Sequence, residues 1–213
     1  MKRPVLVTAG PTREKIDPIR FISNYSTGTF GYEIAREAKA RGRGVILISG
    51  PTCLEAPRGV RRISVESALE MKQAVEKEFK NCGCVIMAAA VSDWRVKTQV
   101  STKIKRRGKG KVLELVENPD ILAGLGRHKA GKILVGFALE TGDLEKNAAK
   151  KLKTKHLDLI VANRLGKKGR AFSDNKTSVL MIDKFGNKRA INNKTKKELA
   201  KIILDKALSL NIG

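Results

Sequence analysis

Short apolar runs alternate with longer amphipathic stretches along most of the chain. Apolar runs of strand length, rich in β-branched residues, occupy positions 4–9, 44–50, 60–65, 84–90, 132–139 and 157–163. Between several of them, apolar residues recur at helical spacing, over residues 30–41, from residue 67, and over residues 143–154. Strands that alternate with helices predict an α/β fold, a Rossmann-like, doubly wound, mostly parallel sheet with helices on both faces.

The ends of these predicted helices carry local signals. Ser67 and Glu70 have the spacing of a capping box, and Gly42 follows the first helix as a C-terminal glycine should. In "ENPDIL", Asn118 is the predicted N-cap and Pro119 the first helical residue. This arrangement would leave exposed backbone amides that could meet an anion.

Two stretches depart from the alternation of strands and helices. Residues 96–117 are basic and end in the alternating piece "KVLELVE", which predicts a flap or hairpin projecting from the sheet. Residues 176–192 predict a second hairpin that turns at 184–187, before an amphipathic helix over 194–208. We expect one domain that spans residues 1–213.

Charge narrows the classes of partner. The chain has 213 residues and carries 44 Lys and Arg against 21 Asp and Glu, a net charge of +23. This excess favours phosphate-bearing partners, either nucleic acid or small phosphorylated metabolites. Aromatic residues make up only 4% of the chain, and few lie among the basic runs where they could stack on bases. A basic nucleic-acid-binding protein is therefore a remote alternative, and we expect no nucleic-acid partner.

Cysteine content and hydropathy indicate the compartment. The three cysteines, Cys53, Cys82 and Cys84, form an odd and thinly spaced set. The sequence shows neither an apolar span of membrane length nor a signal peptide, so we expect a cytoplasmic protein with reduced thiols and no membrane partner. "CGC" has no second Cys or His pair at ligand spacing, so we interpret it as small buried residues that open a strand.

The long turn after the first strand fails the tests for the common nucleotide loops. "TAGPTREKIDPIRFISNYSTGTFGYEIA" (8–35) lacks G-x-G-x-x-G, and the second strand does not end in an acidic residue. The chain also lacks a G-x-x-x-x-G-K-[ST] loop. A Rossmann-like NAD(P) or SAM enzyme is thus another remote alternative.

Ligands nevertheless collect at the carboxyl ends of parallel strands. The predicted loops there, together with the flap, carry polar or charged side chains at Arg13, Arg20, Asn24, Ser26, Thr27, Ser92, Asp93, Lys103, Lys105, Glu140, Thr141 and Asn163.

Several blocks along the chain resemble one family. "TAGPTREKIDPIRFISNYSTG", "AAAVSDWR" with "KIKR", "NPDIL", "GFALET", and "LDLIVAN" with "FSDNKTSV" occur in the order and spacing of phosphopantothenate-cysteine ligase, also called phosphopantothenoylcysteine synthetase. In bacteria this ligase is usually the C-terminal half of a bifunctional coenzyme A biosynthesis protein. The resemblance runs from residue 5 to the last helix.

The resemblance implies a reaction in two steps. The carboxylate of 4′-phosphopantothenate attacks CTP to give an acyl-cytidylate and pyrophosphate, and the amine of L-cysteine then displaces CMP. The same reaction with ATP is the nearest alternative, and the "KIKR" and "GFALET" blocks favour CTP. The family also implies Mg²⁺, for which the sequence assigns no ligands, and a homodimer. A flavin-dependent decarboxylase is implied as a separate domain or chain, so no flavin is expected here.

The family's site residues carry over position by position. Lys103 is the implied stabiliser of the phosphoryl transition state, and Asn24, with Arg20 nearby, would hold the activated acyl group. The implied substrate-binding residues are Arg20, Asn24, Ser26, Thr27 and Gly28. The implied nucleotide-binding residues are Ala89, Asp93, Lys103, Pro119, Asp120, Ile121, Leu122, Phe137, Lys151 and Lys155.

Two departures from the family pattern fall in these blocks. The family commonly has "SSGKMG" where this chain has "STGTFG", so Thr29 and Phe30 replace a lysine and a methionine. In "GFALET", Leu139 stands where a small alanine is usual, and we expect it to tighten the pocket.

Overall fold

A computed structural model describes residues 3–106, 108, 110–164 and 176–210. Within these residues the chain forms twelve strands and five helices. The strands are β1 (Val5–Ala9), β2 (Arg13–Asp17), β3 (Arg20–Ser23), β4 (Val45–Ser49), β5 (Arg61–Ser64), β6 (Cys84–Met87), β7 (Trp94–Val96), β8 (Leu115–Glu117), β9 (Ile133–Glu140), β10 (Leu159–Arg164), β11 (Lys176–Asp183) and β12 (Lys188–Thr195). The helices are α1 (Thr29–Ala40), α2 (Ala68–Phe79), α3 (Ile121–Arg127), α4 (Leu144–Thr154) and α5 (Lys196–Ser209).

Eight strands form the main sheet, in the order β12-β11-β10-β9-β6-β1-β4-β5. The strands from β10 to β5 in this order are parallel, and β11 and β12 are antiparallel. Numbered along the chain, the six parallel strands lie in the order 3-2-1-4-5-6 of a Rossmann sheet. The predicted doubly wound α/β fold is confirmed, and its topological switch point lies between β1 and β6.

The sheet is buried on both faces, which explains the continuous apolar runs of the sequence. Every residue of β1 and of β4 is buried. Because neighbouring strand residues point to opposite faces, Val7 packs into the core shared with α1 and α5, whereas Leu6 packs into the core shared with α2, α3 and α4. The prediction of helices on both faces is therefore confirmed.

The predicted helix signals have two outcomes. The Ser67 side chain caps α2 by accepting the backbone N–H of Glu70, but the Glu70 carboxylate accepts the N–H of Glu66, so only half of the predicted capping box forms. Gly42 follows α1 with a φ of 70°, as predicted. The N-cap of α3 is Asp120, whose side chain accepts the backbone N–H of Ala123 at 2.9 Å, so the prediction of Asn118 and Pro119 as cap and first helical residue is wrong. The Asn118 side chain is used elsewhere, since it donates to the carbonyl of Ser92 at 2.9 Å.

Three antiparallel strand pairs are added to the six parallel strands. The long turn after β1, for which no secondary structure was predicted, contains the antiparallel hairpin β2–β3. The predicted flap begins and ends in an antiparallel pair, β7 with β8, although positions 107 and 109 within it lie outside the described residues. The hairpin predicted over residues 176–192 is confirmed as β11–β12, and it extends the main sheet by pairing with β10.

The cysteines and the helices bear on two further expectations. Cys82 and Cys84 are buried, and burial raises the pKa of the Cys82 thiol to about 11 and that of Cys84 to about 12. Both therefore stay protonated near neutral pH, as expected for structural residues rather than thiolate ligands. Among the helices in the described part of the chain, each is too short or too polar to cross a bilayer.

Candidate active site

The loops that follow β1 and β6 are fixed side by side at the switch point. The hydroxyl of Thr8 accepts the backbone N–H of Ala89 at 3.1 Å, and the hydroxyl of Thr12 accepts that of Ser92 at 2.9 Å. Both threonines are fully buried. The buried hydroxyls add to the backbone hydrogen bonds that Ala90 makes with Gly10 and Thr12, and they hold the predicted nucleotide residue Ala89 at this edge of the sheet.

Asn24 lies at the junction of these two loops. Its side-chain amide donates to the carbonyl of Val91 at 3.0 Å. One residue earlier, the hydroxyl of Ser23 donates to the carbonyl of Thr12 at 2.7 Å. These bonds place Asn24, predicted to bind substrate, beside the loop that carries the predicted nucleotide residues Ala89 and Asp93.

The N-terminus of α1 opens at the same place. Gly28 is the N-cap in a left-handed conformation with a φ of 78°, and glycine offers no side chain to cap the first amides. Gly31 lets the helix approach β1 closely, since a Cβ there would lie 2.6 Å from the Cβ of Ala9. Ser26 and Thr27 flank this turn, where their hydroxyls accept the backbone N–H groups of Gly28 and Thr29. Backbone amides at such a helix end form an anion-binding site.

A cavity of about 640 Å³ lies next to this helix end. It is lined by Pro11, Arg13, Phe21, Ser23, Asn24, Tyr25, Ser26, Thr27, Pro51, Thr52, Cys53 and Leu54. The guanidinium of Arg13 lies 4.5 Å from the centre of the Phe21 ring, a cation–π contact that holds this positive charge at the cavity wall. Residues 51–54 are not among the site residues predicted from the sequence. They follow β4, which neighbours β1 in the sheet, so the strand order alone would have placed them here.

The flap contacts the hairpin β2–β3 through Ile104. Asp17 accepts the backbone N–H of Ile104 at 3.1 Å, and both terminal nitrogens of Arg20 contact the carbonyl of Ile104 at 3.3 Å. Lys103, immediately before Ile104, is exposed. The structure thus brings the segment that carries Lys103 next to the predicted substrate residue Arg20.

Phe137 lies on β9 and is half-buried. Its ring meets that of Phe30 edge to face, with centroids 5.0 Å apart and planes inclined at 68°. Phe30 is one of the departures from the family pattern, and this contact shows where its larger ring is accommodated. Leu139, the other departure on this side, is 41% exposed.

The two predicted nucleotide lysines of α4 are both paired with carboxylates. The Nζ of Lys151 lies 2.6 Å from Oε1 of Glu140, at the end of β9. The Nζ of Lys155, the C-cap residue of α4, lies 2.8 Å from Oδ2 of Asp120. Partial burial would raise the pKa of Asp120, but the hydrogen bonds from Lys155 and from the Ala123 amide outweigh it and lower that pKa. Ile121 and Leu122 continue from Asp120 into α3, so the predicted stretch 119–122 and Lys155 are brought together.

The chain has the family signature over nearly its whole length. The family model described as the C-terminal domain of the DNA/pantothenate metabolism flavoproteins matches residues 1–210. The chain belongs to this family. The resemblance found in the sequence motifs is thereby confirmed.

Known members of the family include close relatives of this chain. The coenzyme A biosynthesis bifunctional protein CoaBC of Bacillus subtilis is 44% identical over 208 residues, which cover 97% of this chain and 51% of the relative. CoaBC of Escherichia coli K12 is 38% identical over 209 residues, covering 96% and 51% respectively. The chain therefore spans about half the length of these curated relatives.

A solved structure shows the same fold. The crystal structure of the C-terminal domain of CoaBC superposes with a TM-score of 0.84 at 40% sequence identity, over 99% of this chain and 97% of that one. This fold is therefore shared with the C-terminal domain of CoaBC.

The described residues contain no group of three or more His, Cys, Asp or Glu side chains placed to hold a metal ion. Mg²⁺ does not need such a cage, because in nucleotide enzymes it is bound by substrate phosphates with one or two carboxylates and waters. Asp93 is an exposed carboxylate among the nucleotide residues predicted for this family member. One such carboxylate, together with the phosphates of a bound nucleotide, would suffice for magnesium bound in this way.

Proposed function

We propose that the chain is a ligase that joins 4′-phosphopantothenate and L-cysteine through an acyl-cytidylate formed from CTP, in coenzyme A biosynthesis. The observation that carries the proposal is the position of Asn24, fixed by the Val91 carbonyl between the α1 N-terminus and the loop after β6. The 44% identity to CoaBC over 97% of the chain supports the choice of reaction.

In the first proposed step, a carboxylate oxygen of 4′-phosphopantothenate attacks the α-phosphate of CTP. A new P–O bond forms to the acyl oxygen, and the bond to the leaving pyrophosphate breaks. Negative charge accumulates on the transferring and leaving phosphates. The ammonium group of Lys103, on the flap beside Arg20, would neutralise this charge in the transition state.

In the second proposed step, the amine of cysteine attacks the acyl carbon. A C–N bond forms, the C–O bond to CMP breaks, and the amine loses a proton. The amide side chain of Asn24 would hold the activated acyl group for this attack. Its Nδ2 is already engaged with Val91, so the side chain is oriented before substrate arrives.

The substrate side of the site suits an anionic ligand. The open N-terminus of α1 offers backbone amides, and Arg13 adds a fixed positive charge at the wall of the neighbouring cavity. Thr29 provides a hydroxyl where the family commonly has a lysine. We propose that Arg13 supplies part of the charge that this lysine gives elsewhere in the family.

The nucleotide side uses the lysines of α4. We propose that the triphosphate binds to Lys151 and Lys155, whose present partners Glu140 and Asp120 keep both side chains extended toward the ends of β9 and α3. A magnesium ion that accompanies the triphosphate would add positive charge next to the phosphates.

A homodimer is part of the proposal. Large apolar side chains are exposed on the hairpin β2–β3 and at the base of the flap, among them Ile19 (58%), Phe21 (46%) and Trp94 (47%). A surface of this kind is common at protein–protein contacts. The relatives named above are bifunctional, and we propose that a flavin-dependent decarboxylase domain or chain works with this ligase.

The test separates the two chemical steps. Wild-type protein, CTP and 4′-phosphopantothenate without cysteine should release pyrophosphate and accumulate an acyl-cytidylate detectable by mass spectrometry. Lys103→Gln should lose pyrophosphate release by about 100- to 1,000-fold, the usual effect of one lost charge-stabilising contact. Asn24→Asp should still release pyrophosphate and should mainly lose amide formation.

Lys97→Gln is the matched control, because Lys97 lies on the same flap but pairs with the exposed Glu114. It should keep the wild-type rate of both steps. Turnover with ATP equal to that with CTP would overturn the choice of nucleotide. Normal rates in both Lys103→Gln and Asn24→Asp would overturn the assignment of the site.

A further inference from the structure

A buried carboxylate joins the hairpin β2–β3 to the flap. The Asp17 side chain is completely inaccessible to solvent. Its Oδ1 accepts the backbone N–H groups of Ile19 and Arg20 at 3.0 and 2.9 Å, which closes the turn of the hairpin. Its Oδ2 accepts the backbone N–H of Ile104 at 3.1 Å, from a segment 87 positions later in the chain.

Arg20 completes this connection from the other side. Its guanidinium lies 3.1 Å from Oδ2 of Asp17, and both of its terminal nitrogens contact the Ile104 carbonyl at 3.3 Å. Asp17 and Arg20 therefore bind the N–H and the C=O of the same flap residue, Ile104. Hydrogen bonds that involve an ionised partner are stronger than neutral ones, so this connection depends on the charge of Asp17.

The groups around Asp17 keep its carboxylate ionised. Burial raises the pKa of Asp17, but the backbone N–H groups of Ile19 and Ile104, together with the positive charge of Arg20, lower it further than burial raises it. The carboxylate is thus ionised throughout the neutral range. A second backbone bond, from Val100 to the carbonyl of Ile16 at 3.1 Å, holds the start of the flap against β2.

We propose that Asp17 is a positioning residue of the ligase, which sets the place of Lys103 by holding the neighbouring Ile104 against the hairpin. Asp17 itself would not touch the substrates. Its effect on the reaction rests on the proposed function, whereas its hold on the flap is a property of the fold alone. This separation allows the two proposals to fail independently.

The chain offers a matched control for a buried aspartate. Asp183 is also fully buried, accepts two backbone N–H groups in its own turn, from Phe185 and Asn187, and pairs with Lys206. It lies in the hairpin β11–β12, which pairs with β10 at the edge of the main sheet. Asp183→Asn therefore removes an equivalent charge without a connection to the flap.

The first measurement is hydrogen exchange at the Ile104 amide by mass spectrometry. Asp17→Asn should accelerate exchange of the peptide that contains Ile104 by about 10-fold or more, the effect of weakening one charge-assisted hydrogen bond. Asp183→Asn should leave this peptide unchanged. Unchanged exchange in folded Asp17→Asn protein would overturn the proposal, whatever the enzyme catalyses.

The second measurement is a double-mutant cycle on pyrophosphate release. Asp17→Asn alone should slow release by about 10- to 100-fold. Combined with Lys103→Gln, it should add less than about 2-fold to the loss, because both changes remove the same interaction. Losses that multiply in the double variant would show that Asp17 acts independently of Lys103 and would overturn the positioning role.

A second variant covers the case in which Asp17→Asn does not fold. Ile104→Pro removes the flap N–H that Asp17 accepts and leaves the aspartate and its turn intact. It should slow pyrophosphate release as Asp17→Asn does, and a wild-type rate would overturn the proposal. If wild-type protein releases no pyrophosphate with any nucleotide, the proposed reaction fails, and the exchange measurement still decides whether Asp17 holds the flap.

Discussion

Two antiparallel hairpins in the described part of the chain, β2–β3 and β11–β12, are closed by the same kind of side-chain contact. In each, a fully buried aspartate accepts two backbone N–H groups of the turn that follows it, Asp17 in the first hairpin and Asp183 in the second. Aspartate is well suited to this because its short side chain reaches the backbone two residues on. The local chemistry of the two turns is therefore alike.

The difference lies in what each carboxylate contacts beyond its own turn. Asp183 pairs with Lys206 of α5 at 2.7 Å, and its strand joins the main sheet. Asp17 instead accepts an N–H from the flap, and its hairpin forms a separate two-stranded sheet. Asp183 therefore connects its hairpin to α5 and the main sheet, whereas Asp17 connects its hairpin to the flap of the candidate site. A buried charge is thus structural or functional according to its outer partner.

The largest expected effect is the loss of stability in Asp183→Ala. Removal of one partner of a buried ion pair, together with the acceptor for the turn, should lower the free energy of unfolding by about 3 kcal/mol or more. Urea unfolding followed by circular dichroism measures this. Asp205→Ala, which removes the mostly exposed partner of Arg41, is the control and should cost less than about 1 kcal/mol. A similar cost in both variants would contradict the structural role assigned to Asp183.

The cationic partners of the two aspartates should separate activity from stability. Arg20→Ala should reduce pyrophosphate release by about 100-fold. It removes a positive charge next to the segment that carries Lys103, and it removes the hydrogen bonds from Arg20 to the Ile104 carbonyl. Lys206→Ala should reduce stability and leave the rate per folded molecule unchanged. Steady-state kinetics and thermal unfolding of both variants make the comparison. A kinetic loss in Lys206→Ala that matched that in Arg20→Ala would erase the distinction between the hairpins.

The sequence predicted the second hairpin and missed the first, for a physical reason. β11 contains a continuous apolar run over 179–182, and Gly186 and Asn187 lie in the turn at 184–187, so the local pattern suffices. In β2–β3 the apolar residues Ile19 and Phe21 are largely exposed, and the hairpin is held by the contact of Asp17 with distant Ile104. A contact across 87 positions leaves no periodic signal in the sequence.

The cap of α3 shows the same limit on a smaller scale. Asn118 and Asp120 are both good N-cap residues, and the local pattern did not distinguish them. The choice follows from the bond of Asn118 to Ser92, which belongs to the loop after β6. The six parallel strands and their helices were predictable because burial on both faces of the sheet requires continuous apolar runs, which are visible in the sequence. Asn24 and Lys103 were found through the family motifs, whereas residues 51–54 required the strand order.

A smaller effect is expected from acid. Burial raises the pKa of Asp183, but hydrogen bonds from Lys206 and Asn187 and from the turn amides lower it below the ordinary value. The folded state therefore binds fewer protons than the unfolded state near pH 4, so stability rises with pH there. The stabilisation from Asp183 is complete above the unfolded-state pKa of about 3.9 and is lost as pH falls through the lower folded-state pKa.

Asp183→Asn tests this dependence. The free energy of unfolding of the wild type, measured by urea titration between pH 6 and pH 2.5, should fall with acid more steeply than that of Asp183→Asn. Glu114→Gln is the control, because it removes a largely exposed carboxylate by the same kind of substitution and should change the free energy of unfolding at pH 6 by less than about 1 kcal/mol. Parallel curves for the wild type and Asp183→Asn would mean that folding does not change the pKa of this carboxylate, and they would contradict its stabilising role.

The smallest expected effect concerns the surface of the second hairpin. Lys188 lies 2.6 Å from Glu145 of α4, but the two side chains are 52% and 56% exposed. Solvent and salt screen such a pair, so Lys188→Ala should change the free energy of unfolding by less than about 1 kcal/mol. The change should vanish in 0.5 M NaCl and should not add to that of Glu145→Ala. A larger, salt-independent loss would mean that the hairpin is held by its surface charges, and the weight placed on the buried aspartate would then be wrong.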